Sequence, residues 1–265
     1  MSNIKLSVVI ITLNEEANIR RCLDSVKDIA DEILVVDSFS TDATEKICGE
    51  YDKVKFVQHE FEGHIEQKNY ALSQAAHDHV FSIDADEAIT DSLREEIVSI
   101  KSSWNADAYF VNRANYYLGK KIRFCGWYPD KKIRLFDKRK AQWSGTNPHD
   151  RITMADYSKI IRIHADLNHF SYKTTEEHQV DINKYSTIAA KAAFLKGKKT
   201  FLLTLLLYPL FIFIKTYFVQ GGIFDGYHGF IISVHNAYYR FLKYLKLRAL
   251  HHMKKSHHDG EAFNP

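Results

Sequence analysis

Two carboxylates one residue apart, Asp84 and Asp86, follow directly on the apolar run of residues 80–83. A short apolar run bounded by polar residues reads as a buried strand, and a D-x-D pair at its end leaves the sheet at the carboxyl edge, where open α/β sheets take their ligands. The chemistry such a pair offers is cation holding. Mg2+ or Mn2+ takes one or two protein carboxylates and fills its remaining positions with water and substrate phosphates. The competing use is capping, because a helix is expected over residues 90–99 and acids are favoured near a helix N-terminus. Glu87 completes the block and is expected to support the loop rather than to bind the ion.

The elements that must position this pair are legible on either side of it. Residues 6–11 precede Thr12-Leu13-Asn14-Glu15, and residues 32–36 precede Asp37-Ser38, so two more strand-like runs end in polar residues at similar depth. Between them Ile19, Cys22, Leu23 and Val26 fall on one face of a helix, and Ser40-Thr41-Asp42 opens another. Strand, helix, strand, helix predicts parallel pairing through right-handed crossovers, hence a doubly wound, mostly parallel α/β sheet with its ligand over the strand ends. A further strand over residues 54–57 and a helix over 65–76 extend the pattern. No G-x-G-x-x-G follows the first strand and no P-loop is present, which removes the dinucleotide-binding and P-loop NTPase readings.

From about residue 107 to 172 the pattern shortens to strands at 108–112, 133–136 and 160–163 separated by turns. Beyond Glu176 it turns helical: an amphipathic run to about residue 194, an apolar run over 201–214, and an aromatic-rich helix over 230–247. That last helix sets Tyr238, Tyr239, Phe241 and Tyr244 among Arg240, Lys243, Lys246 and Arg248. The apolar run is broken by Pro209 and followed by Lys215, and it falls short of the roughly 20 residues expected of a transmembrane helix. Residues 251–265 are expected to fray. The net charge of +3 is unevenly spread: from Ile182 onward twelve Lys and Arg face three acids, which makes +9 there and −6 in residues 1–181. An acidic front suits a metal and its phosphate ligand, and a basic tail rich in apolar and aromatic residues suits an anionic membrane surface; its cations form no polar groove for nucleic acid. Cys22, Cys48 and Cys125 lack metal-type spacing and are odd in number, which fits buried thiols in a reducing compartment. Residues 1–5 lead straight into a strand rather than into a signal peptide, so the cytosolic side is expected.

Taken together, Ser7-Val8-Val9-Ile10-Ile11-Thr12-Leu13-Asn14-Glu15-Glu16, Ile33-Leu34-Val35-Val36-Asp37-Ser38 with Ser40-Thr41-Asp42, Gln67-Lys68-Asn69 and the D-x-D block resemble the family 2 glycosyltransferases, inverting enzymes of GT-A fold. A closer resemblance, to the bacterial lipopolysaccharide-core β-1,4-glucosyltransferase type, rests on Gly126-Trp127-Tyr128-Pro129-Asp130, Arg134-Leu135-Phe136, Pro148-His149-Asp150, Leu167-Asn168-His169-Phe170-Ser171-Tyr172, and Phe224-Asp225-Gly226 through Ala237-Tyr238-Tyr239. The matches span about residues 6–247. At His149-Asp150 the chain departs from the His-Glu usual in the family and carries a carboxylate of shorter reach.

The resemblance implies a transferase domain over residues 1–175, with a donor half to about 105 and an acceptor half from about 106, then a helical membrane-associating extension over 176–250 and a tail from 251. It implies direct displacement of a nucleoside diphosphate by an acceptor hydroxyl, with inversion at the anomeric carbon. The leaving diphosphate needs a divalent metal near Asp86, and the attacking hydroxyl needs a base, for which Asp150 is the candidate. Asp37 is expected to meet uracil, Thr12, Asn14 and Glu15 the nucleoside, Lys68 the phosphate, and Asp84 ribose or metal. His169 is the expected C-terminal metal ligand, against the reading of a hydrogen-bonded core histidine. Trp127, Tyr128 and Arg134 read as an acceptor-side cluster, aromatic faces for sugar and arginine for phosphate. The implied donor is UDP-glucose or another UDP-hexose. The implied acceptor is a lipid-linked glycan such as lipopolysaccharide inner core, met at the inner face of the bacterial inner membrane. A polyprenyl-phosphate acceptor, or a non-catalytic nucleotide-sugar-binding membrane protein, are the alternatives.

Overall fold

The computed structural model describes residues 3–146 and 149–256. Uninterrupted apolar runs make strands that can be covered on both faces. β1 (Leu6–Thr12), β2 (Glu32–Asp37) and β4 (His79–Asp84) are buried almost throughout, and with β3 (Val54–Gln58) they form the parallel part of the sheet. α1 (Ile19–Val26), α2 (Thr44–Cys48) and α3 (His64–Gln74) are the crossovers. The order is β3-β2-β1-β4, and register pairs Thr12 with Asp37 and Ile11 with Asp84, so three strand ends lie level at one edge.

Successive residues of a strand face opposite sides, and both sides are used. Val8, Ile10, Ile33 and Val35 pack with Ile19 and Leu23 of α1 and with Leu93 and Ile97 of α4 (Asp91–Ser102), while Val9, Leu34 and Val36 pack with Ala71 and Leu72 of α3. Each such side chain taken fully out of water contributes about 1.5–3 kcal/mol. The helix after the D-x-D block starts where expected, but Thr90 caps it, accepting the Leu93 N–H at 3.1 Å. Asp84 and Asp86 are therefore not its cap.

Past β4 the sheet is extended by antiparallel strands. β8 (Asp130–Asp137) pairs with β4 and with β6 (Ala108–Tyr117), and the sheet closes through β11 (Ile160–Tyr172) onto β5 (Glu87–Ile89). The segment around Trp143 and Asp150, expected as a loop, is a hairpin of β9 (Ala141–Thr146) and β10 (His149–Met154), with Asp150 opposite Gly145 and Ile152 opposite Trp143. Asn147 and Pro148 lie outside the described residues.

The chain divides into two compact units, one ending at Asn115 and resuming over Pro129–Phe170, the other comprising Tyr116–Tyr128 and the chain from Ser171. The sequence expectation kept the whole of 106–175 in one domain; the segment 116–128 belongs instead with the C-terminal helices. In that second unit a capping box of Thr174 and Glu177 starts α5 (Thr175–Leu195). α6 (Leu202–Ile214) carries Pro209 inside it and continues through Lys215 as a π-helical turn over Lys215–Val219. The interruptions expected at Pro209 and Lys215 thus do not end the helix. Leu202–Val219 is 18 residues long, enough by length and composition to cross a membrane, and only 11% of it is buried.

α7 (Gly226–Ser256) packs against both α5 and α6 and extends past residue 251, where fraying was expected. Its start is pinned closely. A Cβ on Gly229 would sit 1.8 Å from the carbonyl oxygen of Gly222, so only glycine fits. Asp225 is buried and accepts the Phe124 N–H at 2.8 Å and the Arg123 N–H at 3.2 Å, while Lys120 of β7 (Lys120–Lys121) donates to its carbonyl at 2.7 Å. Further along, Lys246 turns inward and donates to the carbonyl and side chain of Asn183 and to Ser186 and Thr187 on α5, at 2.7–2.8 Å.

Candidate active site

Three consecutive residues of α3 each hold a different part of the first unit. Gln67 is fully buried and its amide donates to Ser38 Oγ at 3.1 Å, tying the helix to the end of β2. Asn69 exchanges hydrogen bonds with the backbone of Trp143 at 2.9 and 3.0 Å, which fixes the β9–β10 hairpin. Between them Lys68 places its ammonium 2.9 Å from Asp84 Oδ1 and 2.9 Å from Asp150 Oδ2, over the Trp143 ring at 4.3 Å. Asp84 from the strand edge and Asp150 from the hairpin thus share one lysine.

The other Asp84 oxygen accepts from Arg134 at 2.7 Å, and the same guanidinium meets Glu87, which is fully buried. Burial alone would raise the Asp84 pKa, but the charges of Arg134 and Lys68 outweigh it and hold the carboxyl well below its usual range. Glu87 also accepts the Asp84 backbone N–H at 3.0 Å, the loop-supporting role expected of it, and Arg113 bridges Glu87 at 3.5 Å to Asp130 at 2.7 Å. These groups border a cavity of about 510 Å³, into which Lys68, Asp84, Arg134 and Asp150 bring their side chains together with Trp143 and Arg151.

Asp86 lies in the turn from β4 to β5. Antiparallel pairing of β5 with β11 sets His169 opposite Glu87, and His169 Nε2 comes 3.1 Å from Asp86 Oδ2. The other ring nitrogen, Nδ1, is 2.6 Å from Asn115 Oδ1 and donates to it. That bond fixes the ring with Nε2 and Asp86 Oδ2 side by side, the spacing of two neighbouring ligands on one cation. One imidazole and one carboxylate with open positions around them fit Mg2+ or Mn2+. Among the described residues no group of three or more His, Cys, Asp or Glu is arranged to hold a metal, so the pair would depend on water and substrate oxygens for the rest.

At the ends of β1 and β2 two segments are stitched together. Asn14, in the left-handed region at φ 54, donates its N–H to Ser40 at 2.8 Å and accepts from Thr41 N–H at 2.8 Å; Glu15 N–H donates to Thr44 at 2.9 Å. Asp37 is fully buried, with its oxygens accepting from the Ser40 N–H and hydroxyl. Thr12 Oγ1 is buried there without a hydrogen-bond partner.

The predicted residues Lys68, Asp84, Asp150 and Arg134 therefore meet in one cavity, and Asp86 meets His169. Arg134 is a buried anchor of Asp84 and Glu87 in the first unit, whereas Trp127, 5.7 Å edge-on from Tyr117, and Tyr128 belong to the second. Arg113, Trp143 and Arg151 were not singled out as cavity residues by sequence reasoning. Only the position of Trp143 near Asp150 hinted at its place.

A strand-edge D-x-D and a lysine-bridged cavity thus stand on a doubly wound sheet. Residues 7–162 match glycosyl transferase family 2. The chain is 34% identical over 256 residues to an uncharacterised glycosyltransferase of Rickettsia typhi, covering 93% of this chain and 87% of the relative. It is 31% identical over 260 residues to the lipopolysaccharide core biosynthesis glycosyltransferase LpsC of Rhizobium meliloti, covering 94% of each. In fold it is similar to the mannosyltransferase PcManGT of Pyrobaculum calidifontis, solved with GDP-Man and Mn2+, at a TM-score of 0.53 and 14% identity over 94% of this chain and 88% of that one. The chain belongs to glycosyl transferase family 2 and is a glycosyltransferase.

Proposed function

We propose that this glycosyltransferase is an inverting hexosyltransferase that moves glucose from UDP-glucose to a membrane-tethered glycan such as lipopolysaccharide inner core. The observation that carries the reading is the bridge Asp84–Lys68–Asp150, which brings a carboxylate of the strand edge and one of the far hairpin to the rim of one cavity. The acceptor hydroxyl attacks the anomeric carbon from the face opposite the nucleotide, Asp150 takes its proton, and the bond to the diphosphate oxygen breaks with UDP leaving. Asp86 and His169 would hold Mg2+ or Mn2+, which when bound neutralises charge developing on the departing diphosphate. Lys68 offers a positive charge to the same phosphates, Thr12, Asn14, Glu15 and Asp37 face the nucleoside, and Trp127 and Tyr128 are assigned to the acceptor. The similarity to LpsC over the whole chain supports the lipopolysaccharide acceptor.

The same reading sets the enzyme on the inner face of the cytoplasmic membrane, with the apolar helix lying along it. Exposed Leu202, Leu203, Leu206, Leu210 and Phe211 supply apolar surface. α7 packs along α6, with Tyr244 5.5 Å from Tyr208 and Phe230 5.8 Å from Phe213. A crossing α6 would draw Arg240, Lys243 and Arg248 of α7 toward hydrocarbon, at about 2.5–3.5 kcal/mol per charge near the centre. A surface helix leaves them at the headgroups.

The test is turnover by the purified chain of a panel of UDP- and GDP-sugars with Mg2+ or Mn2+, with and without lipopolysaccharide inner core, and NMR of the anomeric configuration in the product. Preferential use of UDP-glucose with a β-linked product is expected. Retention of configuration would end single displacement, a GDP-sugar preference would end the donor assignment, and no turnover of any sugar would leave the non-catalytic alternative.

A further inference from the structure

The second unit holds a cavity of about 320 Å³ far along the chain from any residue of the D-x-D site, lined by Lys199, Thr200, Phe201, Arg248, His251 and His252. Arg248, His251 and His252 fall at i, i+3 and i+4 on α7 and so share one of its faces. His251 is fixed there: its Nε2 donates to the Lys198 carbonyl at 2.8 Å and its ring rests 4.9 Å from that of Phe194. Opposite, Thr200 and Phe201 form the entry to α6, whose N-terminus no side chain caps. Thr200 Oγ1 is buried with no hydrogen-bond partner.

The charge along this stretch of the described chain is one-sided. Between Ile182 and Ser256 the single acid is Asp225, and it is buried against the Arg123–Phe124 backbone. Cations crowd one another instead: burial lowers the Lys243 pKa, and the charges of Arg240 and Lys198 lower it further. A lysine, an arginine, two histidines, a buried hydroxyl and an uncapped helix N-terminus around one small cavity make a receptor for an oxyanion. Beside it Phe201, Leu202 and Leu203 are more than half exposed, at 72%, 57% and 65%. A ligand with an anionic head and a hydrocarbon tail matches both surfaces.

We propose that this cavity binds the phosphate headgroup of an anionic lipid, whose chains lie against the exposed start of α6. The inference rests on the membrane reading above and deepens it, from a charged surface to a discrete phosphate site. A smeared basic surface would respond equally to any two lost charges, whereas a site responds to its own.

The experiment compares the full chain with two variants of equal net charge, Lys199→Gln with Arg248→Gln in the cavity and Lys184→Gln with Lys191→Gln on α5, both checked for an unchanged melting temperature. Binding is measured to phosphatidylcholine vesicles with and without phosphatidic acid, and by calorimetry to dihexanoyl phosphatidic acid below its micelle concentration and to inorganic phosphate. The cavity variant is expected to lose at least tenfold more affinity for phosphatidic acid vesicles than the α5 variant, and the short-chain lipid to bind wild type one to one where inorganic phosphate at the same concentration does not. Equal losses in the two variants overturn the site while leaving membrane association standing. Binding of inorganic phosphate as tight as the short-chain lipid assigns the cavity to a soluble anion and overturns the lipid. Wild type that ignores every vesicle overturns the membrane reading as well.

Discussion

The two units handle charge in opposite ways. In the first, Lys68 lies between Asp84 and Asp150, Arg134 between Asp84 and Glu87, and Arg113 between Glu87 and Asp130, so buried and half-buried cations and anions alternate along one network. In the second, cations cluster around a chain segment with a single acid, and even Lys246 is satisfied by neutral oxygens. The difference separates two tasks. A network that neutralises itself is rigid and holds its side chains in register, while a surplus of one sign favours a partner of the opposite charge.

The largest effects should come from breaking the candidate site of the first unit. Asp150→Asn should lower transfer to acceptor by about 10²–10⁴-fold, the range for losing a general base, with UDP affinity by calorimetry nearly unchanged. A large loss of UDP affinity would make Asp150 a binding residue. Asp86→Asn should reduce UDP-sugar turnover by about a hundredfold or more and flatten the response to added Mn2+; unaltered turnover would remove Asp86 from the metal site. Arg134→Met should act on stability, since it leaves the fully buried Glu87 with only the more distant Arg113 for a counter-charge; the expected loss is about 3–5 kcal/mol by urea unfolding, relieved by adding Glu87→Gln.

Acid should sharpen the contrast with a smaller effect. His178 is buried beside His235, and burial, then the neighbouring ring, pushes its pKa down from 6.5 to about 4. Below pH 6.5 the unfolded histidine takes up a proton that the folded one refuses, so its contribution is present above 6.5 and is lost as pH falls toward about 4. The depressed Asp84 in the first unit keeps its contribution across that whole window, because its unfolded carboxyl titrates at about 3.9. Hydrogen-exchange protection, taken relative to the intrinsic amide rate at each pH between 7 and 4.5, should therefore fall in α5 and α7 before the β1–β4 core; simultaneous loosening would show that His178 does not set the acid response.

The parallel strands were legible because each is an apolar run stopped by a polar residue, and their level ends brought Thr12, Asp37 and Asp84 to one edge as expected. The antiparallel part was harder. β11 runs 13 residues, yet only its first four read as a strand, because intermediate burial mixes polar and apolar residues along the rest. Gly and Pro are turn-forming types, and with Gly145 and Pro148 so near Asp150 in sequence the hairpin that carries it read as a loop. Arg134 shows a different limit: nothing local tells a buried arginine facing Asp84 and Glu87 from one facing a substrate phosphate, because its partners lie 50 and 47 residues away.

The contact of Gly229 with Gly222 makes the start of α7 a fulcrum. Arg248 lies 19 residues farther on, about 28 Å away at 1.5 Å per residue, so a tilt of about 10° forced at the glycine would swing the far end by about 5 Å. A methyl group added at position 229 would thus be felt least where it is placed and most at the other end of the lever, where the cationic cavity depends on α7 meeting the entry to α6.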